Sequence, residues 1–208
     1  MKRLVELAAI AVVVMLTFVR IFPFSSHVMA TLAALAFAAW LEPTRLRNWF
    51  RITDGWIVTI AWGVAGGCAV LAADAALLAI YPWLGIAPMK LDRFAAVRGN
   101  AHELWQWLGL IWILVAWTEE LISRGFLIDR WLQLLPGGSA AGAVVASSLT
   151  FGAVHYYEGP AGMISNFAAG AILGTLYLLR GRTLGSNIIA HALADSLGLI
   201  AIYFAIVS

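Results

Sequence analysis

The chain has 208 residues, 62% of them hydrophobic and 12% charged, with a formal net charge of +2. A soluble domain is closer to half apolar and a quarter charged, so a water-soluble globular class is excluded; the small net charge says nothing of nucleic acid, and no basic tract that would bind it is present. The single cysteine, Cys68, excludes an intrachain disulfide and a cysteine-rich metal site, and beside Gly66-Gly67 in an apolar run it reads as a small buried residue rather than a nucleophile.

Leu7 to Val19, behind Met1-Lys2-Arg3, has the form of a signal peptide, and the short side chains around Met29-Ala30 imitate a cleavage site. Arg20 closes the apolar run, and Pro23 and a second apolar segment follow, so the first segment is read as a retained helix. Apolar runs predict helices at about 4–21, 27–41, 55–83, 103–134, 140–157, 161–179 and 185–207. Pro43 with Arg45, Arg47 and Arg51 makes a basic loop. Gly85 to Arg98, with Pro88, Lys90, Asp92 and Arg93, is the longest polar connection. Asn100-Ala101-His102-Glu103 follows it in the form of a capping box, Asn as N-cap and Glu three residues on. Pro136-Gly137-Gly138, Gly159-Pro160 and Arg180-Gly181-Arg182 mark further turns.

Spanning a bilayer takes ~20 apolar residues per helix, and these runs supply that several times. The expected fold is all-α, a polytopic membrane bundle of about seven (six to eight) transmembrane helices. It forms a single transmembrane domain over residues 1–208. With the N-terminus inside, nine basic residues (Lys2, Arg3, Arg45, Arg47, Arg51, Arg124, Arg130, Arg180 and Arg182) fall on the cytoplasmic side and four (Arg20, Lys90, Arg93 and Arg98) opposite. That imbalance favours N-terminus in and C-terminus out. Trp40, Trp49, Trp56, Trp83, Trp105 and Trp131 fall near the proposed helix ends, as interfacial aromatics do.

Against this apolar background, Glu119, Glu120 and Arg124 stand together after the uncharged run Leu104 to Ala116. Ionisable groups at membrane depth each cost a few kcal/mol even on the lenient insertion scale and persist with partners or a task. Glu120 and Arg124 are four apart with the acid first, the favourable direction for a helical ion pair, so Glu120 reads as structural. Glu119 is rotated ~100° from it and is the carboxylate left free for chemistry. Downstream, His155 closes Phe151-Gly152-Ala153-Val154-His155. His191 and Asp195, four apart, share a helical face with Asn187 one turn earlier. Singly, each reads as a hydrogen-bonded core residue; together they look like an intramembrane active site. Asp74 is explained by none of these patterns and is left out.

These blocks, Glu119-Glu120-x-x-x-Arg124, Phe151-x-x-x-His155 and His191-x-x-x-Asp195, resemble those of the CPBP family. These are the CAAX protease and bacteriocin-processing enzymes, also called Abi, which are glutamate-dependent intramembrane proteases. The resemblance covers a catalytic core at about residues 103–200; the first hundred residues match only as generic membrane helices. It implies an endopeptidase acting on a membrane-associated protein or peptide, in which Glu119 with His155 activates a water. It also implies that His191 and residue 195 stabilise the oxyanion, with Glu120, Arg124, Phe151 and Asn187 in support. Physical logic agrees: a carboxylate in low dielectric is the better base, and a histidine can donate to developing negative charge. Asp195 stands where the prenyl-protease branch carries Asn. Ionised, it would repel an oxyanion, so it must be protonated or must orient and charge His191.

Other intramembrane proteases need motifs absent here: no His-Glu-x-x-His, no Gly-Asp pair, and Gly137-Gly138-Ser139-Ala140 lacks the second Gly of Gly-x-Ser-Gly. Zinc on Glu119, His155 and His191 is conceivable, but metal-free catalysis is favoured and no cofactor is expected. A non-catalytic scaffold or bacteriocin-immunity protein is the alternative of a different class. The short chain without added domains points to a multi-pass protein of a prokaryotic cell membrane.

Overall fold

Residues 101–134 form one unbroken helical rod in a computed structural model that describes residues 2–19 and 24–206. Before this rod, here α5, come α1 (Lys2–Thr17), α2 (Ser25–Leu41), the short α3 (Pro43–Trp49) and α4 (Gly55–Ile80). After it come α6 (Ala140–Val154), α7 (Gly159–Leu179) and α8 (Gly185–Tyr203). No strand occurs among the described residues. The predicted apolar runs therefore land on helices. Arg20 and Pro23, taken to close the first segment, lie outside the described residues. The supposed basic loop after Glu42 is instead helix α3. Its Pro43 occupies the first turn, where no backbone N–H is needed, and Arg47 sits in the last.

Asn100 caps α5 as expected, its side chain accepting from the N–H groups of His102 and Glu103 at 3.1 and 3.3 Å. The Asn100 N–H is already bonded to Val97 O at 3.0 Å, which occupies the donor a returning Glu103 would have used. Within α5, two wider π-helical stretches, Ile111–Val115 and Leu121–Ile128, bracket the glutamate pair. Such inserted turns shift side-chain register along a helix and recur at functional sites.

Among the described residues three helical stretches, Gly55–Leu84, Tyr156–Leu179 and Gly185–Tyr203, are long and apolar enough to cross a membrane. The helices α2 and α6 are apolar but have only 17 and 15 residues. At ~1.5 Å per residue they fall short of the ~30 Å hydrocarbon core. Each stops at the site: α2 starts two residues before His27, and α6 ends at His155.

Polar ties mark the two ends of the bundle. At one end Arg130 binds Glu6 and Glu42, while Asp129 accepts from Trp49, Tyr177 and Arg182. At the other, Lys90 N–H bonds Glu158 O, Gly99 N–H bonds Tyr203 O, and Arg93 bonds Tyr157. Trp49 is thus no interfacial aromatic but a buried one, held by Asp129 and stacked against Gly125. Trp40, Trp56, Trp83 and Trp105 are exposed.

Close packing depends on missing side chains. A Cβ at Gly63 would stand 2.6 Å from Ile189 Cγ2, and one at Gly67 3.0 Å from Ala190 O, so α4 lies backbone-close along α8. Gly152 does the same for α6 against α7, where a Cβ would come 2.6 Å from Met163 O. Cys68, expected to be buried, is exposed. It is one residue past Gly67, rotated ~100° off the packed row.

Candidate active site

Glu120 is completely buried, and its two oxygens gather three side chains. Oε1 accepts from Arg124 Nη1 at 2.8 Å and meets His191 Nδ1 at 2.7 Å; Oε2 accepts from Asn187 Nδ2 at 3.3 Å. The expected Glu120–Arg124 pair is present. The carboxylate also holds the imidazole of His191, the orienting task that spacing alone suggested for Asp195. Asp195 instead lies 3.3 Å from the other ring nitrogen, Nε2, at the opposite edge of the ring. Asn187 also donates to Leu173 O at 2.7 Å, which ties α8 to α7 beneath the histidine.

Glu119 faces the other way, but it is not free. Its Oε1 lies 2.9 Å from Nε2 of His27 on α2, while Oε2 lies 3.7 Å from His191 Nε2. The second gap is too long for a hydrogen bond. Sequence reasoning gave His27 no role. The available signal was the one that singled out His155 and His191, an imidazole inside an apolar run, continued here by Thr31, Ala34 and Ala38 on one helical face.

His155 follows the last residue of α6, and its Nδ1 meets the carbonyl of Phe151 at 2.7 Å. A carbonyl only accepts, so Nδ1 carries the hydrogen and Nε2 is the lone-pair nitrogen of the neutral ring. Phe151 is the packing hub. The Arg124 guanidinium lies over its face at 4.4 Å from the centroid, and the His155 and His191 rings pack at 5.0 and 6.0 Å. The Phe-x-x-x-His spacing therefore supplies both the carbonyl that sets the tautomer and the ring that separates two histidines from a buried cation.

A cavity of about 560 Å³ opens over these groups, lined by Glu119, His27, His155, Phe151, Trp107 and Arg93 among others. A smaller one of about 230 Å³ reaches His191, Asp195 and Asp74. Arg93 lines both, bonding Tyr157 OH at 2.9 Å and lying over the rings of Phe94, Trp107 and Tyr157. The long polar connection before α5 thus forms part of the wall of the site, which composition alone did not reveal.

Among the described residues no group of three His, Cys, Asp or Glu side chains is arranged to hold a metal ion. Of the set considered for zinc, Glu119 is turned to His27 and His191 Nδ1 to Glu120.

Residues 101–197 match the family model described as type II CAAX prenyl endopeptidase Rce1-like. Over this stretch, just under half of the chain, the sequence is similar to that family. The Rce1-like segment starts at the first turn of α5 and ends two residues beyond Asp195, so it holds all three blocks of polar residues. His27, Asp74 and Arg93 lie outside it. No curated protein and no solved structure matches the chain. The likeness to a CAAX protease family and the apolar helices support a membrane protease.

Proposed function

We propose that the chain is an intramembrane endopeptidase in which Glu119 is the base and His191 the oxyanion donor. A water lodged between Glu119 Oε2 and His155 Nε2 loses its proton to the carboxylate as its oxygen adds to the scissile carbonyl carbon. The resulting oxyanion is met by His191 Nε2–H, with Asp195 beside it. The proton taken by Glu119 then passes to the amide nitrogen as the C–N bond breaks, leaving a carboxylic acid and an amine. Glu120 fixes His191 through Nδ1, so Nε2 must bear the hydrogen aimed at the oxyanion when the ring is doubly protonated.

The observation that carries this reading is the asymmetry of the glutamate pair. One carboxylate is fully buried and occupied on both oxygens; its neighbour borders a cavity of about 560 Å³ beside two histidines. That cavity is apolar over most of its wall and suits an unwound stretch of a membrane-associated peptide. The mechanism proposed uses these side chains and a water, without a metal.

The finer topology belongs to the same proposal. Seven long helices, α1, α2 and α4 to α8, cross or enter the bilayer as one domain. The N-terminus and the Arg130 cluster are cytoplasmic, in a prokaryotic cell membrane. Arg124 and Arg130 are buried in ion pairs, so they drop out of the loop count, and Lys2, Arg3, Arg45, Arg47, Arg51, Arg180 and Arg182 still outnumber the opposite side.

The test is cleavage of quenched fluorogenic peptides, with and without a prenylated C-terminal cysteine motif, by the purified protein in liposomes. Wild type should cleave at least one with or without a chelator, and Glu119→Gln none. Equal complementation of a knockout by wild type and Glu119→Gln, without cleavage in vitro, would make the chain a scaffold instead.

A further inference from the structure

We infer that His27, outside the Rce1-like segment, is a positioning residue that clamps the base by donating from Nε2 to Glu119 Oε1; this rests on the protease reading above. A carboxylate accepts hydrogen bonds only, so the 2.9 Å contact puts the hydrogen on His27 Nε2. The other nitrogen, Nδ1, lies 3.4 Å from Ser26 Oγ, a hydroxyl able to donate to it. The ring packs edge-on to Phe24, centroids 5.9 Å apart. Glu119 therefore sets its tautomer, and Ser26 and Phe24 at the start of α2 set its angle.

The reason for such a clamp lies in the neighbouring charges. Arg124 is committed to Glu120, so the partner a carboxylate needs at membrane depth has to come from elsewhere. The remaining candidates near Glu119 are His155, across the cavity, and His191, 3.7 Å away. Without His27, a small rotation of the carboxylate would close that gap. Glu119 would then be tied up as a salt bridge to the group meant to meet the oxyanion, and base and donor would quench each other. The clamp holds Oε1, keeps the two apart, and leaves Oε2 turned to the water. Small buried residues on α2, Ala30, Thr31, Ala34 and Ala38, allow the helix to come close enough to α5 for the contact. A catalytic block confined to α5 through α8 thus borrows its alignment from α2.

The experiment compares His27→Leu, which keeps bulk without a donor, with His27→Gln, whose amide nitrogen reaches near the Nε2 position. The purified full-length protein in liposomes is assayed on the prenylated fluorogenic peptide. His27→Leu should lower kcat about 10- to 100-fold, the scale of a misplaced catalytic group, with KM nearly unchanged and the melting temperature in detergent kept. His27→Gln should recover most of that loss. Wild-type kcat in His27→Leu, a loss confined to KM, or a loss that His27→Gln does not restore would each overturn the proposal. Should His27→Leu fail to fold, His27→Asn replaces it: its shorter amide falls short of Oε1, so it should be slow where His27→Gln is fast, and equal rates overturn the clamp. Glu119→Gln runs alongside. An active Glu119→Gln enzyme defeats the mechanism as a whole, whereas an inactive one beside an unimpaired His27→Leu defeats only the role of His27.

Discussion

His191 Nδ1 and Glu120 Oε1 meet at 2.7 Å across two helices, and the same oxygen accepts from Arg124 at 2.8 Å. A single buried carboxylate therefore neutralises a cation on its own helix and orients an imidazole on another. The adjacent glutamates divide the labour by helical geometry: a ~100° turn puts one into a closed set of donors and the other onto the cavity wall. A Glu-Glu pair is the shortest sequence able to build both the brace and the base on one helix.

Glu120→Ala should lose both stability and activity. It strands Arg124, which is almost completely buried, and breaking a buried pair from one side costs about 3–5 kcal/mol. It also frees His191 and Asn187. Thermal unfolding in detergent should show a large fall, and Glu120→Gln a smaller one. A Glu120→Ala protein that melts like wild type yet cleaves nothing would mean that the roles of the two glutamates are reversed.

Glu119→Gln and Glu119→Ala should fold normally and lose about 10²–10⁴-fold in rate, the usual cost of removing a general base. The side chain borders the cavity, and its hydrogen-bond partner among the described residues, His27, is partly exposed. Unfolding should coincide with wild type while single-turnover cleavage collapses; near-wild-type turnover in either variant rules the mechanism out.

Much of this arrangement is legible in the chain. The positions of the helices follow from apolar runs cut by Gly and Pro, and the pairing of Glu120 with Arg124 follows from i, i+4 geometry. The grouping of Glu119, His155, Asn187, His191 and Asp195 follows from polar groups gathering inside a bundle, and that of Phe151 from the resemblance of its block to the CPBP pattern. What spacing along one helix cannot show is a partner on another. Asp195 is the natural companion of His191 by sequence, yet a closer acceptor waits on α5, and Glu119 looks unpartnered until α2 brings His27 to it. The depth of His155 is illegible for a related reason: α6 is too short to cross, so its end falls at the level of mid-α5 rather than at a membrane surface. Trp49 shows the limit of the interfacial-aromatic rule. Its position near a helix end is real, but Asp129 draws its indole N–H inward.

Asp129→Ala should destabilise without touching the chemistry. Its carboxylate is fully buried at the end of the bundle away from the cavity, and it serves Trp49, Tyr177 and Arg182 together. Removal leaves an unpaired guanidinium and an indole N–H without an acceptor, on the order of 3–5 kcal/mol. The melting temperature should drop sharply, while the kcat of the protein that remains folded stays at the wild-type value. A kcat that falls with stability intact would place Asp129 in the reaction path.

Asp195→Asn and His191→Ala should separate widely. His191→Ala removes the oxyanion donor, a loss of roughly 10²–10³-fold, and leaves Glu120 short of one of its three partners. Asp195 is about two-fifths exposed and faces Nε2 at 3.3 Å, while the orientation of the ring is held at Nδ1 by Glu120. Asparagine in its place keeps a polar contact with the ring, removes a negative charge from beside the developing oxyanion, and supplies an amide that can donate to it. Partial to full activity is therefore expected for Asp195→Asn, with the larger gain over His191→Ala in kcat rather than KM. Single-turnover cleavage of the fluorogenic peptide by both variants, repeated across pH, measures the separation. Equal inactivity would mean that the carboxylate itself is required, as a proton carrier or as a ligand, and a search for bound zinc in the purified protein would then decide between those two.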